Sequence, residues 1–220
     1  KNRKLLKNNH VYHETMEHDA CGVGLVASTE GLKSRKVVEY GIEALKAVWH
    51  RGAIDADGKT GDGAGIHIEI PNDFFAEKIE ITGHEHDNSD LCVGMIFLPR
   101  NDFGGQEQCR SIVESELTKK NFNIYGWRQV PVDPSVLGEK AEQTRPEITQ
   151  VLFTHNDKSI HGKDLERALY ETRRKIEKEA LRNQLNNFYI CSFSSKSIIY
   201  KGMFLAESLS DFYPDLKDER

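Results

Sequence analysis

Hydrophobic positions first recur at helical spacing across residues 34–49. Val37, Val38, Ile42, Leu45, Val48 and Trp49 follow one another by threes and fours, so they share one face, and Ser34 stands where a helix cap belongs. Ahead of that helix, residues 23–27 form a short apolar run with a glycine inside it, which predicts a strand, while residues 1–20 carry little apolar content and predict an irregular leader. Behind it, residues 50–65 hold five glycines in sixteen positions, too many for a regular element, and predict a long structured loop packed tightly near a sheet. Ile66, Ile68 and Ile70 then alternate with His67 and Glu69, a half-buried strand that Pro71 ends.

The second half is more apolar. Asn72 is placed to cap a short helix through Phe74 and Phe75, and residues 84–90 are a polar turn. Residues 91–98 are a nearly unbroken apolar strand stopped by Pro99. A helix follows over 105–120 with Ile112, Val113 and Leu117 inward, then a β-prone aromatic stretch over 122–130 and a loop opened by Pro131 and Pro134. Residues 148–154 predict a strand, 164–185 a highly charged helix, and 188–193 with 197–200 a hairpin across Ser194-Ser195-Lys196. Because several strands are neighbours in sequence, antiparallel pairing and an α+β class follow, with helices covering sheets.

Composition narrows the function. Thirty basic and 35 acidic residues give a net charge of −5 without a basic stripe, so nucleic-acid binding has no support. No run approaches the ~18 apolar residues of a membrane helix, so no membrane partner is expected. Cys21, Cys92, Cys109 and Cys191 form no CxxC pair, and the first 20 residues lack the apolar core of a secretory signal. Reduced thiols in a cytoplasmic protein are the simplest expectation. The chain begins with Lys1 rather than Met, which suggests a piece of a longer protein.

Two familiar motifs fail on inspection. Gly58-Lys59-Thr60 imitates a phosphate loop, but the required earlier glycine falls on Ala53 and the preceding segment is not a strand. Asp55, Asp57 and Lys59 imitate a calcium loop, but its sixth and twelfth positions are Thr60 and Ile66. Histidines 10, 13, 18, 84 and 86 lack convergent partners at metal-ligand spacing and read as solvated loop residues. The charged helix reads as a solvated face whose i,i+4 pairs, such as Glu166–Tyr170 and Arg174–Lys178, are only partly complementary, and is assigned no function.

Cys21 remains. It sits behind the leader and ahead of the glycine-broken run Gly22-Val23-Gly24-Leu25. Were the leader removed, its thiol and a free α-amine would share one carbon. An α-amine titrates near ~7.7–8.0 and a thiol near ~8.5, so the amine could act as the thiol's own base. A plainer reading is a small buried cysteine opening a core strand.

Several stretches then occur in an order that resembles the glutaminase domain of glutamate synthase large chains. They are Cys21-Gly22-Val23-Gly24, His50-Arg51-Gly52, the run from Asp57 to Gly65, and Ile70-Pro71-Asn72-Asp73-Phe74-Phe75. Gly126-Trp127-Arg128-Gln129-Val130-Pro131-Val132-Asp133, Thr144-Arg145-Pro146-Glu147-Ile148, Phe188-Tyr189-Ile190-Cys191-Ser192 and Tyr200-Lys201-Gly202 continue the series, so the likeness runs from about Glu17 onward. The resemblance implies a class II glutamine amidotransferase of the N-terminal nucleophile hydrolase type, a four-layer sandwich of two mainly antiparallel sheets between helices, incomplete in this chain.

It further implies a leader over 1–20 removed at the Ala20–Cys21 bond, with 21–220 the N-terminal portion of the amidotransferase domain. Cys21 would be the catalytic nucleophile toward L-glutamine. Arg51 would support the substrate pocket, or else be a structural loop arginine. No cofactor is implied for this portion. FMN and an iron–sulfur cluster belong to the synthase domain in the remainder of the large chain, which would join the ammonia to 2-oxoglutarate, and a small subunit would supply electrons. The family's carboxylate-binding arginine and its Asn-Gly oxyanion pair fall beyond Arg220, so little or no glutaminase activity is expected of these 220 residues alone. A class II amidotransferase with another acceptor, or a binding module in which Cys21 is merely buried, are the alternatives.

Overall fold

The computed structural model describes residues 22–48, 52–85 and 90–220. The first element is helix α1 (Arg35–Ala47), and Ser34 caps it by accepting the Lys36 N–H through its hydroxyl. Strand β1 (Ala64–Glu69) and helix α2 (Asn72–Ile81) follow. Next come β2 (Leu91–Leu98), α3 (Phe103–Lys119), β3 (Phe122–Gln129), the short α4 (Glu139–Thr144) and β4 (Glu147–His155). The long helix α5 (Gly162–Arg182), β5 (Tyr189–Ser194), β6 (Ser197–Gly202) and a one-turn helix α6 (Leu209–Phe212) complete the series, with 3₁₀ turns at Pro134–Val136, Ala206–Ser208 and Pro214–Lys217.

The strands form two antiparallel sheets, one of four strands in the order β3-β4-β2-β5 and one of two, β1 with β6. This is the α+β arrangement of antiparallel sheets and helices that the strand spacing predicts. β2 and β4 are the inner pair, and their apolar runs are buried on both faces. One face packs Cys92, Ile96, Val151 and Phe153 against Val113 and Leu117 of α3 and Leu165, Leu169 and Ile176 of α5. The other turns Val93, Met95 and Leu152 toward Phe74, Phe75 and Ile79 of α2 and toward Ile198 and Tyr200 of β6. In the smaller sheet Ile66 faces Tyr200 and Ile68 faces Ile198, which brings one face of β1 into the same cluster. Among the described residues no helix is long and apolar enough to cross a membrane.

Three expectations need correction. Residues 23–27 are not a strand: they run irregularly, with Val23 92% and Leu25 91% exposed. A strand exists only with a neighbour for its N–H and C=O groups, and none of the described strands pairs with this segment. The chain does turn at Ser194–Lys196, but β5 and β6 do not form a ladder with each other; β5 joins β2 and β6 joins β1. Side chains join them instead. Ser192 Oγ accepts the Ile199 N–H at 3.2 Å, and Cys191 Sγ donates to the Ile199 carbonyl at 3.5 Å. Finally, Asn72 is the first residue of α2 rather than its cap, which falls on Pro71, and α2 continues to Ile81.

The charged helix also does more than face solvent. Glu166 accepts from Ser194 Oγ and from both the N–H and the hydroxyl of Ser195, at 2.7–3.0 Å, and so pins the corner between β5 and β6. The ion pairs along it include Arg167–Glu171, Arg173–Glu177, Arg174–Glu177 and Arg182–Glu179 rather than the pairs read from spacing.

Candidate functional site

The two residues singled out by sequence, Cys21 and Arg51, lie outside the described residues, as do histidines 10, 13, 18 and 86. The chain on the C-terminal side of each is described. From Gly22, next to Cys21, an exposed, irregular segment runs toward α1. From Gly52, next to Arg51, the glycine-rich loop begins.

That loop folds back on itself. Asp55 N–H donates to the Thr60 carbonyl at 2.8 Å, Ile54 bridges Gly61, and Asp62 N–H reaches the Ala53 carbonyl at 3.2 Å. Gly58 makes the turn at the tip with φ +68°, a left-handed conformation that costs glycine nothing. Asp57 organises the tip: Oδ1 accepts the N–H of Lys59 at 2.9 Å and of Thr60 at 2.7 Å, while Oδ2 takes the Thr60 hydroxyl at 2.5 Å. These bonds, the Thr60 hydroxyl first, hold the Asp57 carboxyl down at about 2. The amides a phosphate would need are thus already engaged, in keeping with the failed phosphate-loop motif.

The loop is fastened at two places. A Cβ on Gly61 would fall 2.7 Å from the Phe204 carbonyl oxygen, so the returning limb lies directly on the chain after β6. A Cβ on Gly138 would fall 2.1 Å from Asp57 Oδ2 and 2.3 Å from Thr60 Oγ1. Gly138 is the cap position of α4 and has no side chain to offer its helix. Thr60, 2% exposed, takes that role from across the chain by accepting the Ala141 N–H at 3.4 Å. An exposed Lys140–Asp55 ion pair at 2.8 Å lies beside it. Tight packing of this loop is what its glycines predict; its attachment to α4 is new. Spacing alone marks Asp57-Gly58-Lys59-Thr60 as a local Asp-led turn, but a short helix reached 81 residues later leaves no such mark.

Cys92, Cys109 and Cys191 are free thiols buried in the two clusters. Burial pushes Cys109 and Cys191 up to about 11 and Cys92 higher still, so all three stay protonated and inert. Among the described residues no three His, Cys, Asp or Glu side chains converge as a metal site. His84 meets Thr82 Oγ1 at 3.1 Å and stacks edge-on with Tyr125.

Residues 21–220 match the family model for class II glutamine amidotransferases, and the match begins at Cys21. This chain belongs to the class II glutamine amidotransferases. Over 219 residues, all of the chain, it is 54% identical to the glutamate synthase [NADPH] large chain of Azospirillum brasilense. It is 38% identical over 203 residues to ferredoxin-dependent glutamate synthase 2 of Synechocystis, and 38% identical over 205 to the chloroplastic enzyme of the same name from Arabidopsis thaliana, each match covering 92% of the chain. The chain spans 14%, 13% and 12% of the lengths of these three relatives. The amidotransferase domain named by the ordered motifs is therefore the family to which the chain belongs.

Proposed function

We propose that this domain is the glutamine-hydrolysing part of a glutamate synthase, with Cys21 as its nucleophile. The observation that carries the proposal is that the family match begins at Cys21. Burial supports it by disqualifying the three described cysteines. Removal of residues 1–20 frees the α-amine of Cys21; until then that nitrogen is an amide and cannot act as a base. The freed amine takes the thiol proton as sulfur attacks the side-chain amide carbon of glutamine. The carbon–nitrogen bond then breaks, the nitrogen leaves as ammonia with the returned proton, and a γ-glutamyl thioester remains. Water, deprotonated by the same amine, releases glutamate and restores the thiol. Arg51 supports the substrate pocket in the same reading.

The ammonia passes to a synthase portion of the kind the longer relatives are named for, and is joined to 2-oxoglutarate. FMN and an iron–sulfur cluster supply the reductive chemistry there. The proposal places both groups in the synthase portion. A small electron-supplying subunit and residence in the cytoplasm belong to the same reading.

Glutamine hydrolysis by the full-length protein tests this. Cys21→Ala is expected to lower kcat by at least about 10³-fold, the scale of losing a nucleophile. Undiminished hydrolysis would overturn the assignment.

A further inference from the structure

We infer that the outer apolar face of α1 is an interface inside the full-length protein, covered by an apolar segment of the chain that follows Arg220. This rests on the proposed reading of the domain as part of a glutamate synthase large chain. At about 100° per residue, the charged side chains Arg35, Lys36, Glu39, Glu43 and Lys46 share an arc of about 100° on α1, and roughly 220° of it is apolar. A helix that buries one side needs little more than about 100° of apolar surface. Only part of this arc is used. Val38, Ile42 and Leu45 turn onto the core, where α1 packs on β1 and on the turn at Ala206–Ser208. Val37, Tyr40, Ala44, Ala47 and Val48 form a second stripe that is not part of that core. Tyr40 is 60% and Val48 36% exposed, and both alanines are exposed. The helical part of the stripe runs ~15 Å, and its alanines let a partner come close to the helix backbone. Two observations favour the same chain as that partner. Asp218 and Arg220 line one small cleft with Arg35 and Val38, so a chain continuing past Arg220 sets out beside α1. The chain also spans 14% of the length of the relative it matches at 54% identity, so a protein of that length has ample sequence to bring there.

The test uses the full-length protein. With p-benzoylphenylalanine in place of Tyr40, illumination is expected to give a crosslink that leaves the protein at monomer mass in denaturant and that peptide mapping places after Arg220. In a second arm, maleimide is expected to label Ala44→Cys at least about tenfold more slowly than Glu43→Cys on the charged arc, because a covered thiol reacts slowly. That protection should be the same at every protein concentration. Equal labelling rates, or no crosslink, would overturn the proposal, since the apolar face would then be open to water. A crosslink to another copy, with protection lost on dilution, would overturn it in favour of self-association. A crosslink confined to residues 1–220 would overturn it in favour of a contact inside this domain. None of these readouts uses glutamine. A protein that fails to hydrolyse glutamine but keeps the crosslink and the protection would overturn the glutaminase function and support the interface.

Discussion

Arg128 and Asp215 meet through two parallel contacts of 2.7 Å although 87 residues separate them. Arg128 leaves β3, and Asp215 lies in the last 3₁₀ turn, so the pair ties the edge of the larger sheet to the C-terminal segment. The pair also engages both sheets: Arg128 donates to Gln150 of β4 at 2.8 Å, and Tyr200 of β6 donates to Asp215 at 3.3 Å. Phe74 lies under the guanidinium, 5.3 Å from its centre. Both charged side chains are largely buried, 14% and 6% exposed, so neither is left to water if the other goes.

Breaking this pair is therefore expected to be costly. Asp215→Asn or Arg128→Met alone should destabilise the protein by ~3–5 kcal/mol, because one buried charge loses its partner. The double variant Arg128→Met/Asp215→Leu should recover most of that loss. Urea midpoints of the three variants check it; additive losses in the double variant would contradict it.

Gly94 sits at the centre of β2 between β4 and β5. A Cβ there would fall 2.7 Å from Val151 Cγ1 and 2.8 Å from the Phe193 ring. Gly94→Ala is expected to cost ~1–3 kcal/mol through overpacking, with part of it relieved when Val151→Ala is added. Thermal melts of the single and double variants decide this.

Stability should fall in alkali. Cys109 and Cys191, raised by burial to about 11, stay protonated in the folded protein while unfolded thiols ionise near ~8.5. Between these values the folded state binds more protons, so stability is full below about pH 8.5 and declines as pH rises toward 11. Urea midpoints at about pH 7.5 and about pH 10 should show the drop, and Cys109→Ala should reduce it. The same burial keeps Cys92, Cys109 and Cys191 silent to thiol reagents in native protein at about pH 8. A flat profile and fast labelling of all three would contradict both expectations.

The elements that sequence revealed are those whose stability is local or whose burial leaves a period. Ser34 and the apolar stripe behind it mark α1 to within two residues, and the run at 91–98 gives β2 with the same ends. What escaped depends on distant partners. The strand expected at 23–27 has an apolar pattern but no neighbour among the described strands, and α4 is too short for any period to show. Glu166 looks like one more charge on a charged helix, and only the fold brings Ser194 and Ser195 to it. At the site, the ordered motifs named the family through Cys21 and the glycine-rich loop. The clamp of Asp57 and Thr60 on Gly138 required the folded chain, because glycine records only that something is close and never what.

The mass of the full-length protein, before and after a glutamine-analogue electrophile, tests the central claim most directly. The account requires a mature chain that starts at Cys21, lighter by everything ahead of that residue, and a single adduct that maps to that cysteine. A chain that keeps its leader yet hydrolyses glutamine, or an adduct on any other residue, would contradict it.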